Sequence, residues 1–186
     1  MGLDMYLTKR TYLGLNHEHN RKDGIPLSIA GDEYAHIRPE RVREIIEEVG
    51  YWRKANAIHG WLVKNVQDGV DDCKDYYVDE AKLRELLDAV NRVLTSTKLV
   101  PGTVNTGYSV VPNGAGGIIR TDHTEVGQIL QDSTVAETLL PTTSGFFFGG
   151  GDYDQYYWDD LVHTKRILEN VLENETQGNI YYHSSW

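Results

Sequence analysis

The sequence is poor in cysteine, in cationic residues and in long apolar runs. Cys73 is its single cysteine, which excludes an internal disulfide and favours a reducing compartment. Lys and Arg number 18 against 28 Asp and Glu, for a formal net charge of −10. This balance disfavours nonspecific binding to DNA or RNA, where cationic surfaces supply most of the affinity. No stretch is long enough for a transmembrane helix, and MGLDMYLTKR at the start lacks the apolar run of a secretory signal. We therefore expect a cytoplasmic protein with no membrane and no nucleic-acid polymer among its partners.

The amino acids that are present favour one soluble domain over residues 1–186. Hydrophobic residues make up 40% of the chain and charged residues 25%, an ordinary globular composition, and the length suits one hydrophobic core. Leu3, Met5 and Leu7 alternate with polar or amphipathic residues, which predicts a half-buried strand near the start. Residues 180–186 predict a second terminal strand, and we expect the two to pair in the middle of one sheet.

Helical spacing dominates the residues between these strands. Apolar residues from Val42 to Val66 follow helical spacing behind Pro39, which predicts a long helix that Gly50 breaks or bends. Asp79 is the predicted N-cap of the next helix, and Asp152 with Gln155 matches a capping box for the last one. Residues 146–148 predict a short buried strand before that last helix. Together these elements predict an α+β fold, in which about three main helices cover a small, mostly antiparallel sheet that includes the N- and C-terminal strands.

Two segments interrupt this pattern. Residues 14–36 lack periodicity and contain several turn-forming residues, so we expect a long ordered loop there. Residues 101–135 are rich in Gly, Thr and Val, which predicts an inserted flap or a β excursion.

The stretch YWRKANAIHGW, residues 51–61, carries the strongest functional signal. On a helix of about 100° per residue, Asn56 and His59 fall on the same apolar stripe as Trp52, with Arg53 at its edge. Burying an unpaired amide costs roughly 2 kcal/mol or more, so both polar groups need partners. Those partners are either an internal hydrogen-bond network or a ligand, and Gly60 leaves room for a closely approaching group.

The ligand alternative has a specific chemistry. The planar fork of Arg53 suits a phosphate or carboxylate, and the side chains of Asn56 and His59 fix polar edges. Trp52 and Tyr51 add aromatic contact for a flat ring. We therefore predict a small nucleotide-like ligand, bound by Trp52, Arg53, Asn56, His59 and Tyr51.

The sequence motifs for a metal site or an anion site are weaker than the signal in residues 51–61. His17 and His19 have no third ligand close in sequence, and the acidic residues between 68 and 75 lack the order of a calcium-binding loop, so we predict no metal and no cofactor. Gly149, Gly150 and Gly151 precede a predicted helix and could cradle an anion, but the nearby aspartates would repel phosphate. A tight turn from strand to helix fits these glycines better.

Several stretches of the chain resemble a largely uncharacterised family of small proteins from bacteriophages and some bacteria. These stretches are MGLDMYL, YWRKANAIHGWLVKNVQDGVDDC, LLPTTSGFFFG and YYHSSW. The resemblance implies a phage context and the host bacterial cytosol, and it brings no catalytic residues. Because small phage proteins often block bacterial immunity by sequestering nucleotide signals, it also suggests an anti-defence role, by analogy alone.

Three functions remain open from the sequence. The first is a binding protein that sequesters a nucleotide-derived immune signal. The second is a nucleotide hydrolase or transferase that uses His59 as general acid or base. The third is an inhibitor that binds a host protein through an aromatic surface formed by Tyr153, Tyr156, Tyr157 and Trp158. We expect a binder rather than an enzyme, and the sequence leaves a homo-oligomer open.

Overall fold

The fold is mixed α and β, as the sequence predicts. The computed structural model describes residues 2–13, 27–113, 116–145, 148–175 and 177–186. The main elements are β1 (Asp4–Tyr12), β2 (Glu44–Arg53), α1 (Asn56–Asn65), β3 (Tyr76–Val78), α2 (Glu80–Ser96), β4 (Leu99–Pro112), β5 (Ile118–Leu130), α3 (Thr134–Leu139), α4 (Gln155–Asn174) and β6 (Asn179–Ser185).

The main sheet is antiparallel and has four strands in the order β2-β1-β6-β3. The two terminal strands lie side by side at its centre, in a register that runs from Asp4↔Ser185 to Arg10↔Asn179, which confirms the predicted pairing. One face of this sheet packs into the hydrophobic core with the helices. The sheet contributes Met5, Leu7, Trp52 and Tyr182 to the core, next to Leu3 just before β1, and α2 and α4 contribute Leu86, Val90, Leu161 and Leu168.

The long helix predicted from Val42 to Val66 is wrong for its first half. Residues 44–53 form β2, an edge strand paired with β1, and the helix begins only at Asn56. The segment EIIEEVGYWR fits either period, but its β-branched and aromatic residues suit a strand, and β1 supplies a pairing partner. Gly50 lies opposite Leu7, and a Cβ there would come 2.6 Å from Cγ2 of Ile167. The glycine therefore lets α4 pack closely against the strand instead of bending a helix.

Of the two predicted helix N-caps, the one for α2 is confirmed and the one for α4 is wrong. Asp79 caps α2 as expected, because its Oδ1 accepts the Lys82 N–H at 2.7 Å. The capping residue of α4 is Asp154 and not Asp152, since Oδ1 of Asp154 accepts the N–H groups of Tyr156 and Tyr157. Asp154 also forms a bridge with Ile129 of β5, which places its carboxylate at the helix entrance.

Strands β4 and β5 form a separate antiparallel ribbon. Their register runs from Leu99↔Leu130 to Pro112↔Ile118, so most of the segment 101–135 lies in this ribbon and in α3. Residues 14–26 of the predicted loop and Phe146 and Phe147 of the predicted strand lie outside the described residues. Phe148 lies in a bend and not in a strand. None of the described helices is long and apolar enough to cross a membrane.

Candidate functional site

The chain makes a strained turn between β2 and α1, at the position of the predicted site. Lys54 has a φ of 62°, a left-handed conformation that is uncommon outside glycine. Its N–H donates to the carbonyl of Leu3 and its own carbonyl accepts the Asn56 N–H, both at 2.8 Å. These two hydrogen bonds stabilise the left-handed conformation of Lys54 and fix the start of α1 directly after the end of β2.

Asn56 is buried and fully bonded to the backbone of its own chain. Its Nδ2 donates to the carbonyl oxygens of Phe148 at 3.0 Å and Gly150 at 2.7 Å, and its Oδ1 accepts the Thr143 N–H at 2.9 Å. The amide therefore joins the first turn of α1 to the glycine-containing segment before α4. Its role is to position that segment, and its donors are not free for a ligand.

His59 is also buried, between two side chains. Its Nδ1 lies 2.8 Å from the hydroxyl of Tyr182, and its Nε2 lies 3.0 Å from Oδ2 of Asp71. Burial raises the pKa of Tyr182 well above its usual value, so its hydroxyl stays protonated and can donate to Nδ1. Oδ1 of Asp71 also accepts a hydrogen bond from Nε1 of Trp186 at 3.1 Å. This network ties α1 to the C-terminal strand, beside a small hollow of about 350 Å³ that His59 lines with Phe148 and other residues.

The alternation of β2 separates the remaining predicted site residues. Trp52 lies in the core with 2% of its surface exposed, and its Nε1 donates to Oγ1 of Thr164 at 2.8 Å. Tyr51 and Arg53 flank Trp52 and point to the opposite face, where Oδ1 of Asp4 accepts a hydrogen bond from each of them. A strand sends successive side chains to opposite faces, so the structure divides residues that the predicted helix would have grouped.

A cleft of about 380 Å³ lies where β2, α1 and α4 meet. We call it the acidic chamber, because its charged lining residues are Arg53, Lys54, Asp152, Asp154, Asp159 and Asp160. Of the five predicted site residues, Arg53 and Asn56 line it. Its other lining residues are Ala57, Asn105, Thr142, Gly149, Gly150, Tyr156 and Tyr157.

A second cleft of about 570 Å³ adjoins the acidic chamber. The two have in common Lys54, Asn105, Gly149, Gly150 and Asp152. We call the second one the ribbon chamber, because β4 and β5 form one of its walls with Asn105, Thr106, Gly107, Tyr108 and Arg120. The shared residues place the two chambers side by side, and we refer to the pair as the cleft.

Two aspartates in the acidic chamber have raised pKa values. Burial, with added repulsion from Asp159 and Asp154, raises the pKa of Asp160 to about 7. Burial also raises the pKa of Asp154, although the N–H groups of Tyr157 and Tyr156 partly offset this effect. A partly buried carboxyl group that titrates near neutral pH is typical of binding and catalytic sites. The Asp160 carboxylate would be stabilised by a ligand that brings a cation or a hydrogen-bond donor.

The sequence contains one signal for the acidic chamber, in the segment that begins α4. In DYDQYYWDD, residues 152–160, Tyr157, Asp160 and Thr164 fall at helical spacing on the inward side of α4, where Tyr157 and Thr164 are buried. A carboxylate at a buried position, like a buried amide, is expected to have a hydrogen-bonding partner. Of the four residues predicted to form an aromatic surface, Tyr156 is exposed, whereas Tyr157 is buried and Tyr153 and Trp158 are half-buried.

Neither a metal site in the described residues nor a similarity to known proteins indicates a function for this cleft. Within the described ranges, no group of three or more His, Cys, Asp or Glu residues is placed to hold a metal ion. Comparisons with protein-family models, curated proteins and solved structures give no match. The cleft itself is therefore the feature of the structure that bears on function.

Proposed function

We propose that the protein binds a small nucleotide-like molecule in the cleft formed by the acidic and ribbon chambers. The observation that carries this proposal is a cleft whose lining combines the cations Arg53 and Lys54 with the raised-pKa carboxyl groups of Asp154 and Asp160. Its volume of about 380 Å³ for the acidic chamber alone falls in the range of roughly 300 to 1,000 Å³ that is usual for small-molecule sites.

The proposed roles of the lining residues follow from their positions. Arg53 is more than half exposed at the rim and is paired with Asp4, so a hydrogen-bond acceptor of the ligand can compete for its guanidinium at low desolvation cost. Asp160 accepts hydrogen bonds from the ligand, and the exposed ring of Tyr156 supplies a flat aromatic contact. Asn56 holds the carbonyl of Gly150 and so shapes the cleft wall.

Binding without turnover is the form of this proposal that we favour. Both ring nitrogens of His59, the residue expected to act in an enzyme, lie within hydrogen-bond distance of Tyr182 and Asp71. A protein that holds a nucleotide-derived signal without converting it would act as a sponge, the anti-defence role that the phage resemblance suggests.

One observation favours a second candidate, a nucleotide hydrolase or transferase. The pKa of Asp160 near 7 suits a general acid or base at neutral pH. In that case Asp160, and not His59, would carry the proton transfer.

The test is binding followed by recovery of the bound compound. The purified protein is titrated calorimetrically with nucleoside mono-, di- and triphosphates and with cyclic nucleotides, and each mixture is then heat-denatured and its small molecules are identified by mass spectrometry. Saturable binding with recovery of the intact compound supports sequestration, whereas recovery of a product supports the enzyme.

A size series at Gly150 links any binding to the cleft. A Cβ at this position would meet no atom within 4 Å, so Gly150→Ala adds a methyl group without a clash, and Gly150→Val and Gly150→Leu add further volume at this wall of the cleft. We expect affinity to fall with side-chain size while the melting temperature of the unliganded protein stays within about 2 °C of wild type. Equal affinity across the series would place the ligand elsewhere and refute the proposed site.

A further inference from the structure

The carboxylates of the cleft are concentrated in one of its two chambers. Asp154, Asp159 and Asp160 line only the acidic chamber, as does Arg53 at its rim, whereas Arg120 lines only the ribbon chamber. Lys54 and Asp152 line both. The ribbon chamber therefore has two cationic side chains, Lys54 and Arg120, against one lining carboxylate, Asp152, whereas the acidic chamber has two, Arg53 and Lys54, against four.

Lys54 lies at the junction of the two chambers and is held there by strained backbone. Its φ of 62° is matched by a φ of 89° at Gly149, where an added Cβ would lie 3.2 Å from the Cβ of Lys54. Within the described part of the chain, Lys54 forms no ion pair. Strain of this kind persists where the surroundings enforce it, and it is concentrated at binding sites.

Arg120 lies in the wall of the ribbon chamber that β4 and β5 form. Its guanidinium stacks over the ring of Tyr108 at 4.3 Å, and its Nε donates to Oδ1 of Asp122 at 2.8 Å. These contacts fix the plane of the guanidinium while its terminal nitrogens keep their N–H donors. A fixed guanidinium is well suited to bind a phosphate.

We propose that the ligand is a nucleotide whose base carries an amino group, with its phosphate between Lys54 and Arg120 and its amino edge directed at Asp160. This inference rests on the proposed function and adds the orientation and chemical class of the ligand. The acidic chamber would repel a phosphate, and the ribbon chamber attracts one. The amino group of adenine, cytosine or guanine donates hydrogen bonds that a carboxylate accepts, and uracil has no such group.

The experiment is a calorimetric titration that varies the phosphate and the amino group separately. The probes are AMP, CMP, GMP and UMP with their four nucleosides, at low salt and neutral pH. The protein variants are Lys54→Gln, which removes the junction cation, and Asp160→Asn, which removes the carboxylate. Lys98→Gln and Asp88→Asn are matched controls at exposed positions that line neither chamber.

The expected result is a double preference. At least one monophosphate with an amino-bearing base should bind about tenfold or more tightly than its nucleoside and than UMP, consistent with one charge-assisted contact for each preference. Lys54→Gln should abolish the preference for phosphate, Asp160→Asn should abolish the preference for the amino group, and the control variants should retain both.

Other results separate this inference from the proposed function. If nucleosides bind as tightly as nucleotides, or if Lys54→Gln behaves like Lys98→Gln, the orientation is refuted although the protein still binds nucleotide-like molecules. If the wild-type protein binds none of these probes and no nucleotide of the larger set described above, the proposed function fails together with the inference.

Discussion

Replacing Asn56 tests whether the buried amide is part of the scaffold. Asn56→Ala removes two bonds from Nδ2, to the carbonyls of Phe148 and Gly150, and one bond from the Thr143 N–H to Oδ1. At a net contribution of about 1 kcal/mol each, the loss is about 3 kcal/mol. Because 1 kcal/mol corresponds to roughly 2 to 4 °C for a chain of this size, the melting temperature should fall by about 6 to 12 °C.

The assay is thermal unfolding followed by circular dichroism, supported by urea denaturation. Asn65→Ala is the matched control, because Nδ2 of Asn65 makes a single bond to the carbonyl of Trp61 in the same helix and alanine favours helix. Asn56→Asp should be more destabilising than Asn56→Ala at neutral pH, since a carboxylate oxygen would then face two carbonyl oxygens. A melting temperature for Asn56→Ala within about 2 °C of wild type would refute the scaffold role.

Three further perturbations test the site and its supports. The pKa of Asp160 is near 7 in the folded protein against an ordinary value of 3.8, so the folded state binds the extra proton between these pH values and stability falls as pH rises through that window. Asp160→Asn should therefore flatten the dependence of the unfolding free energy on pH between about 4 and 7 and raise stability at pH 8, and an unchanged profile would show that the carboxyl group titrates normally. Thr164→Val leaves Nε1 of Trp52 without its acceptor and should lower the unfolding free energy by about 1 to 3 kcal/mol, whereas Thr164→Ser should stay close to wild type in the same urea titration. A Cβ at Gly60 would lie 2.3 Å from Oγ1 of Thr143, so Gly60→Ala should destabilise the wild-type protein but be neutral or stabilising by up to about 1 kcal/mol in a Thr143→Ala background; the same sign in both backgrounds would contradict the predicted clash.

The buried polar residues show where sequence reasoning succeeds. Asn56 and His59 are buried, as predicted, because the residues around them do form a helix from Asn56 to Asn65. Gly60 does leave room for a closely approaching group, which is the hydroxyl of Thr143 in the same chain. Both alternatives for the partners of these groups were open from the sequence, and the contacts favour the internal network for their polar atoms.

The failures have a common cause. Residues 44–53 satisfy helical and strand periods alike, and pairing with β1 selects the strand. That change moves Trp52 into the core and turns Tyr51 and Arg53 to the opposite face. Of the five residues of the sequence-based site, Arg53 and Asn56 therefore line the acidic chamber.

The sequence alone determined the excess of acidic residues, the terminal strands, the amphipathic helices and the burial of Asn56 and His59. Each of these depends on composition or on spacing within a few residues. The meeting of Lys54, Arg120 and Asp160 at one cleft was decided by tertiary structure alone. Those three side chains lie far apart along the chain, and only the packing of the β4–β5 ribbon and α4 around the start of α1 brings them together. Contacts between residues so far apart along the chain produce no periodic pattern in the sequence. The cleft and the distribution of its charged residues are therefore seen only in the folded chain.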